Sequence, residues 1–100
     1  MHARSGTVYP RSDRIDYVLQ LLRDSVAPAA QQEPGFSGML IMNDRQAGRV
    51  VGITLWESEA DMRASANGEY LQEQVSRVIT YLRRPPEFED YEIEVLFFMF

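Results

Sequence analysis

Apolar and polar positions along the chain fall into six segments with two different periods. Residues 3–9 (ARSGTVY) read as a first strand: Thr7, Val8 and Tyr9 favour extended backbone, Gly6 weakens it, and Pro10 closes it. Ile15, Val18, Leu19, Leu22 and Val26 then recur at helical spacing and form one apolar stripe. Ser12 is placed to cap this helix, with Asp13 and Asp16 in its first turn. Pro28 lies inside the pattern and predicts a kink or end, with Ala29 to Gln32 as a distorted last turn. Pro34-Gly35 is a stop. Phe36 to Met42 and Val50 to Trp56 are two apolar strands joined by the polar Asn43 to Gln46 turn and by Gly48. Ser58 with Asp61 three residues on is a capping pattern for a second helix. Asn67-Gly68 interrupts it, and Leu71, Val75, Val78 and Leu82 mark a longer helix. Arg83 and Arg84 suit its C-terminal end, Pro85-Pro86 ends it, and Phe88 to Phe98 is the last strand.

The order is β-α-β-β-α-β. Two crossovers and one hairpin give an α+β, ferredoxin-like fold, a four-stranded antiparallel sheet with both helical segments on one face. Nothing is left to cover the other face. Strand three is nevertheless apolar at both parities, with Val51, Ile53 and Leu55 on one and Val50 and Trp56 on the other. Strand four offers Tyr91, Ile93, Val95 and Phe97 on one side, and Leu96 and Phe98 beside Glu92 and Glu94 on the other. A sheet apolar on both faces needs two covers, so a homodimer through the open face is expected.

Composition narrows the class. One hundred residues suit a single domain, 1–100. The formal net charge of −5 argues against nucleic acid as a partner. Cysteine is absent, which removes disulfides, thiolate metal sites and cysteine nucleophiles and fits a cytoplasmic location. The N-terminal stretch has no signal-peptide core. No segment has the ~20 apolar residues of a membrane span, VLFFMF at residues 95–100 being far too short.

The PGF-x-G opening at Pro34–Gly38, the LWES ending at Leu55–Ser58 and the helix Glu59 to Gly68 resemble the antibiotic biosynthesis monooxygenase family. That resemblance implies a dimeric α/β-barrel. It also implies one of several activities, among them cofactor-independent oxygenation of aromatic polyketides, oxygenation of quinones and haem degradation. Haem-degrading members resemble one another in a helix Trp and a His ten residues later. Aligned on LWES, those positions are Ser65 and Val75, and the single histidine is His2, so the haem branch is disfavoured.

Candidate chemistry is sparse. Trp56 can stack on a flat ligand with its indole N–H as donor, or plug the core where helix meets sheet. Asn67 and Tyr70, at the helix break, can hold a ligand carbonyl or hydroxyl at a cavity mouth, or Asn67-Gly68 is a plain helix stop. Gly6 and Gly52, on strands expected to be neighbours, either leave room for a ligand or admit a bulky side chain such as Met39 or Phe97. Arg4 can bind an acidic group, or point to solvent. Met39, Met42 and Met62 suit a soft pocket or ordinary packing. The acidic run Glu87, Glu89, Asp90, Glu92 and Glu94 suits a solvated strand edge better than a cation site. Dinucleotide, P-loop, zincin and nucleophile-elbow motifs are missing, and neither cofactor nor metal is expected. Two functions remain open. One is a cofactor-independent monooxygenase for a small aromatic or quinol, binding it through Trp56, Asn67, Tyr70 and Arg4. The other is a non-catalytic ligand-binding or structural homodimer. A cavity of ~300–1,000 Å³ with converging polar groups would favour a ligand.

Overall fold

The structure, a computed structural model, describes residues 1–98. Four strands, β1 (His2–Pro10), β2 (Phe36–Asp44), β3 (Arg49–Trp56) and β4 (Leu82–Glu92), form one antiparallel sheet in the order β2-β3-β1-β4. The helices are α1 (Ile15–Leu21), α2 (Ala27–Ala30), α3 (Glu59–Asn67) and α4 (Glu69–Val78). Residues from α1 through α2 and from α4 pack on the same face of the sheet, where Val18, Val78 and Leu82 form a buried cluster against Val8, Leu21, Leu22 and Tyr81. This is the ferredoxin-like βαββαβ arrangement that the hydrophobic pattern predicts.

The first helix starts two residues later than a Ser12 cap would place it. Ser12 does not cap it. Arg14 N–H donates to Arg11 O at 2.8 Å and Arg11 N–H to Tyr81 O at 2.9 Å, so residues 11–14 form a turn tied to the end of the second helical region. Pro28 does not end the helix either. It lacks the N–H that Asp24 O would accept, and its ring would crowd that carbonyl. The turn over Leu22–Val26 widens to π-helical geometry and carries the chain through to Ala30. Gly35, at φ 77°, makes the left-handed turn that releases β2, and Glu57 N–H donates to its carbonyl at 2.8 Å.

Ser58 caps α3 as expected. Its Oγ accepts from Asp61 N–H at 3.1 Å and donates to Asp61 Oδ2 at 2.9 Å. The break at Gly68 also lies where Asn67-Gly68 places it.

The C-terminal third departs from expectation. After α4 a single 3₁₀ turn (Ile79–Tyr81) leads directly into β4 at Leu82, not Phe88. Leu82 is therefore a strand residue, and Arg83 and Arg84 lie on the strand, flanking the Tyr9 ring at 5.4 and 3.8 Å. Pro85-Pro86 does not stop the helix but sits within β4. An edge strand tolerates prolines, and the register with β1 slips on either side of Tyr9, opposite them. The strand ends at Glu92 because β1 begins at His2; one further bond, Ile93 N–H to Met1 O at 3.0 Å, is the last. Val95, Leu96, Phe97 and Phe98 thus lie outside the sheet and exposed, and do not extend its apolar face.

On the face away from the helices, Leu40, Met42 and Tyr91 are exposed and Val51, Ile53 and Leu55 half-buried. No helix among the described residues is long and apolar enough to cross a membrane.

Candidate functional site

The register builds a cavity under the helices. Ile41, Gly52, Gly6 and Phe88 stand opposite one another in one row across all four strands, facing α4. The two central positions of that row have no side chain. Over Gly6 the Phe88 ring fills the gap: a Cβ there would lie 3.0 Å from Phe88 Cε1. Over Gly52 nothing does, and a Cβ would find only Gly6 O at 4.0 Å. The space left is a cavity of about 110 Å³. Its floor is completed by Met39, Val50, Thr54 and Trp56, and its roof by Tyr70, Leu71, Gln74, Val75 and Val78. It falls below the ~300–1,000 Å³ of drug-sized sites; an apolar cavity of ~150 Å³ holds benzene, so this one is of single-ring scale.

The next row of the sheet is Met39, Thr54, Arg4 and Asp90. Arg4 is 6% exposed and does not point to solvent. Its Nε donates to Asp90 Oδ1 at 3.1 Å, one Nη to Ser65 Oγ at 3.0 Å and the other to Met62 O at 2.9 Å. The guanidinium thus pins α3 to β1 and β4, and one N–H on each terminal nitrogen is left over at the cavity wall. Ser65, at the position aligned with the helix Trp of haem-degrading relatives, is committed to this network and donates on to Met62 O at 2.6 Å.

Trp56 is 1% exposed and meets Phe36 edge-to-face, centroids 5.8 Å apart. Its indole N–H donates to Thr54 Oγ1 at 2.9 Å. Trp56 therefore lines the cavity and also plugs the core edge, but it has no N–H to spare for a ligand.

Tyr70 opens the inward stripe of α4. Burial, helped by the Glu33 charge and opposed by Arg4 and Arg77, pushes its phenol up to about 12, so it is a neutral hydroxyl at physiological pH. The structure brings Trp56, Tyr70 and Arg4 to one cavity. Asn67 is exposed at the end of α3 and is not among the lining residues. Gln74 was missed. It lies one turn beyond Tyr70 and one before Val78, is 6% exposed, and its Oε1 has no hydrogen-bond partner. The signal was a lone polar residue on the stripe of Leu71, Val75 and Val78. Among the described residues no group of three or more His, Cys, Asp or Glu side chains is arranged to hold a metal.

A four-stranded antiparallel sheet with helices on one face and a small apolar cavity between the layers places the chain among the ferredoxin-like α+β proteins. The chain belongs to the antibiotic biosynthesis monooxygenase family, whose pattern it matches over residues 1–77. An uncharacterized Mycobacterium tuberculosis protein, Rv2557, is 33% identical over 100 residues. The match covers 96% of this chain and 42% of that protein, so the chain spans about two fifths of the length of this relative. Among solved structures, a Streptomyces coelicolor monooxygenase from the gene ActVA-Orf6, in complex with nanaomycin D, superposes with a TM-score of 0.79 at 17% identity, covering 98% of this chain and 91% of that one. A point mutant of MhuD with two manganese protoporphyrin IX bound per active site superposes equally well at 0.79 and 18% identity, covering 99% and 100%. A Nitrosomonas europaea protein of unknown function, NE2512, reaches 0.80 at 18% identity, covering 98% and 93%. At these identities the likeness is one of fold.

Proposed function

We propose that this chain binds a small, single-ring aromatic or quinol-type molecule in the cavity over Gly52 and acts on it as a cofactor-independent monooxygenase. The observation that carries this reading is the half-open apolar space, with a buried cation, Arg4, and a neutral phenol, Tyr70, at its wall. For a hydroquinone the reaction balances without a reductant from outside. The quinol gives four electrons to O₂, one oxygen atom enters the ring to make a hydroxyquinone, and the other leaves as water. Arg4 would stabilise negative charge as a hydroxyl ionises, Tyr70 would donate a hydrogen bond, and Trp56 would pack against the ring. Family membership supports an oxygenase or a ligand-binding role equally. Haem fits poorly: the lining contains neither histidine nor cysteine, and Val75 stands where the family's histidine would be.

The same reading takes residues 1–100 as one domain, working in the cytoplasm as a homodimer closed through the open sheet face. Leu40, Met42, Val51, Ile53 and Leu55 support such an interface. Oxygen consumption with a panel of dihydroxyarenes, alongside Trp56→Ala and a cavity-filled Gly52→Val variant, tests the function. Turnover by wild type that Gly52→Val abolishes is the expected result. Binding without oxygen uptake for every compound would remove the enzyme and leave the ligand-binding protein.

A further inference from the structure

The cavity is almost wholly apolar, yet one residue that lines it carries a buried polar atom that the fold leaves unpaired. Gln74 is 94% buried by its relative exposure of 6%, and its Oε1 finds no partner in the protein. A helix surface position facing a sheet normally takes Leu or Val, as Leu71, Val75 and Val78 do on the same stripe. Burying an amide oxygen without a partner is unfavourable, and native folds rarely leave one so. Two of the other polar lining groups are already engaged, while the Tyr70 hydroxyl lines the same wall. Thr54 Oγ1 accepts from Trp56 and donates to Arg4 O, and Arg4 holds Asp90, Ser65 and Met62 O. Arg4 has only N–H groups to offer. Gln74 Oε1 is thus a buried acceptor beside the cavity that no protein donor uses, and a turn about the last side-chain torsion, which exchanges the amide oxygen and nitrogen, presents it to the open space.

We infer that Gln74 is the specificity-determining residue of this cavity: its Oε1 accepts a hydrogen bond from a hydroxyl carried on a one-ring aromatic ligand. The inference rests on the ligand-binding reading above and sharpens it. It selects rings that carry a protonated hydroxyl over rings of equal size that carry a methyl or methoxy group. A quinol satisfies both ends of the polar inventory, since one hydroxyl can donate to Gln74 while the other meets the spare N–H groups of Arg4.

Phenol and toluene are probes of nearly equal shape that differ in this donor. Their affinities are measured by calorimetry for wild type and for Gln74→Met, a replacement of similar length and high helix propensity. The wild-type preference for phenol relative to toluene should fall by about tenfold or more in Gln74→Met, the cost of one buried hydrogen bond. Taking the ratio between proteins removes the different hydration of the two probes. The ligand-free variant should melt no lower than wild type, because an unpaired buried oxygen has been removed. A preference unchanged by the substitution, with both probes bound, overturns the role of Gln74 and leaves the cavity reading standing. A lower melting temperature together with an unchanged preference would show the amide to be satisfied within the fold. Wild type binding neither probe overturns the cavity reading and this inference together.

Discussion

Gly52 is the residue on which the cavity depends, and replacing it is the sharpest test of whether the space is real. Its φ lies outside the left-handed region, since Gly35 and Gly48 are the described glycines with positive φ, so a side chain costs no backbone strain. A Cβ would have its nearest neighbour, Gly6 O, at 4.0 Å, an ordinary contact. Replacing glycine by alanine where the backbone allows it stabilises by about 0.4–1 kcal/mol through the unfolded chain alone. Each methylene-sized group buried adds about 0.8 kcal/mol. An empty apolar space of 110 Å³ costs about 2.6 kcal/mol at ~24 cal/mol per Å³, which bounds what filling it can recover. Gly52→Ala should therefore gain about 1 kcal/mol and Gly52→Val about 2 kcal/mol, if the valine fits without the strain of overpacking. Each kcal/mol corresponds to a rise of about 4–8 °C in melting temperature for a chain of this size.

The assay is urea unfolding followed by thermal melts with and without phenol. Gly52→Val should be more stable than wild type and should lose the ligand-induced shift in melting temperature. Gly6→Ala is the internal control, one strand away in the same row. Its Cβ would meet the Phe88 ring at 3.0 Å, so the ring must swing outward and the gain should vanish or reverse. A destabilised Gly52→Val, or a Gly52→Val that still responds to phenol, would refute the reasoning, because the methyl groups would then have found occupied space or the ligand another site.

Three further outcomes follow from the same geometry. Arg4→Met should cost about 2–3 kcal/mol in urea unfolding, because Ser65 and Met62 O lose charge-assisted bonds inside the protein; a loss under 1 kcal/mol would mean that the network contributes little. Tyr70 has a folded pKa raised from 10.0 to about 12, so its contribution to stability is fully present below pH 10 and is lost as pH rises through 12. Tyr70→Phe should then show a shallower loss of stability between pH 10 and 12 than wild type, and parallel profiles would contradict the burial of the phenol. For the proposed homodimer, light scattering at micromolar concentration should give twice the mass of the 11.5 kDa chain; a monomer would remove that proposal.

Most of the architecture was readable because two periods carry it. The stripe from Ile15 to Val26 and the alternation of Val50 to Trp56 each fix a face, and Ser58 with Asp61 fixes a helix start. The failures share one cause: local chemistry was outweighed by tertiary pairing. Pro85-Pro86 has the local signature of a helix stop, but as an edge β4 could pair with β1 around it, and Leu82 was worth more beneath Val18 and Val78 than on a helix. Ser12 is a good cap by type, but the backbone bond from Arg11 to Tyr81 drew its turn elsewhere. At the site, the glycine pair was legible once β1 and β3 were taken as neighbours. The partners of Arg4 were not, since Ser65 and Asp90 lie 61 and 86 residues away in sequence. Asn67 stayed between two readings because an Asn-Gly break looks the same whether it borders a cavity or solvent.

The polar inventory also bears on how catalysis would run. Among the described residues the cavity wall contains no carboxylate and no imidazole, and its one phenol titrates near 12. No lining group can take a proton at neutral pH. A hydroquinone hydroxyl has a pKa near that of tyrosine, about 10, so only about one molecule in a thousand is ionised at pH 7. A cation within ~4–6 Å, as Arg4 would be, lowers such a pKa by about 1–3 units, while burial of the ring works against it. Oxygenation should then depend on the acidity of the substrate. The logarithm of kcat/KM is expected to rise with unit slope against pH up to the pKa of each substrate's own hydroxyl, and that break should move from compound to compound. A break at one fixed pH for every substrate would reveal a protein base, and would place the chemistry on a residue outside this wall.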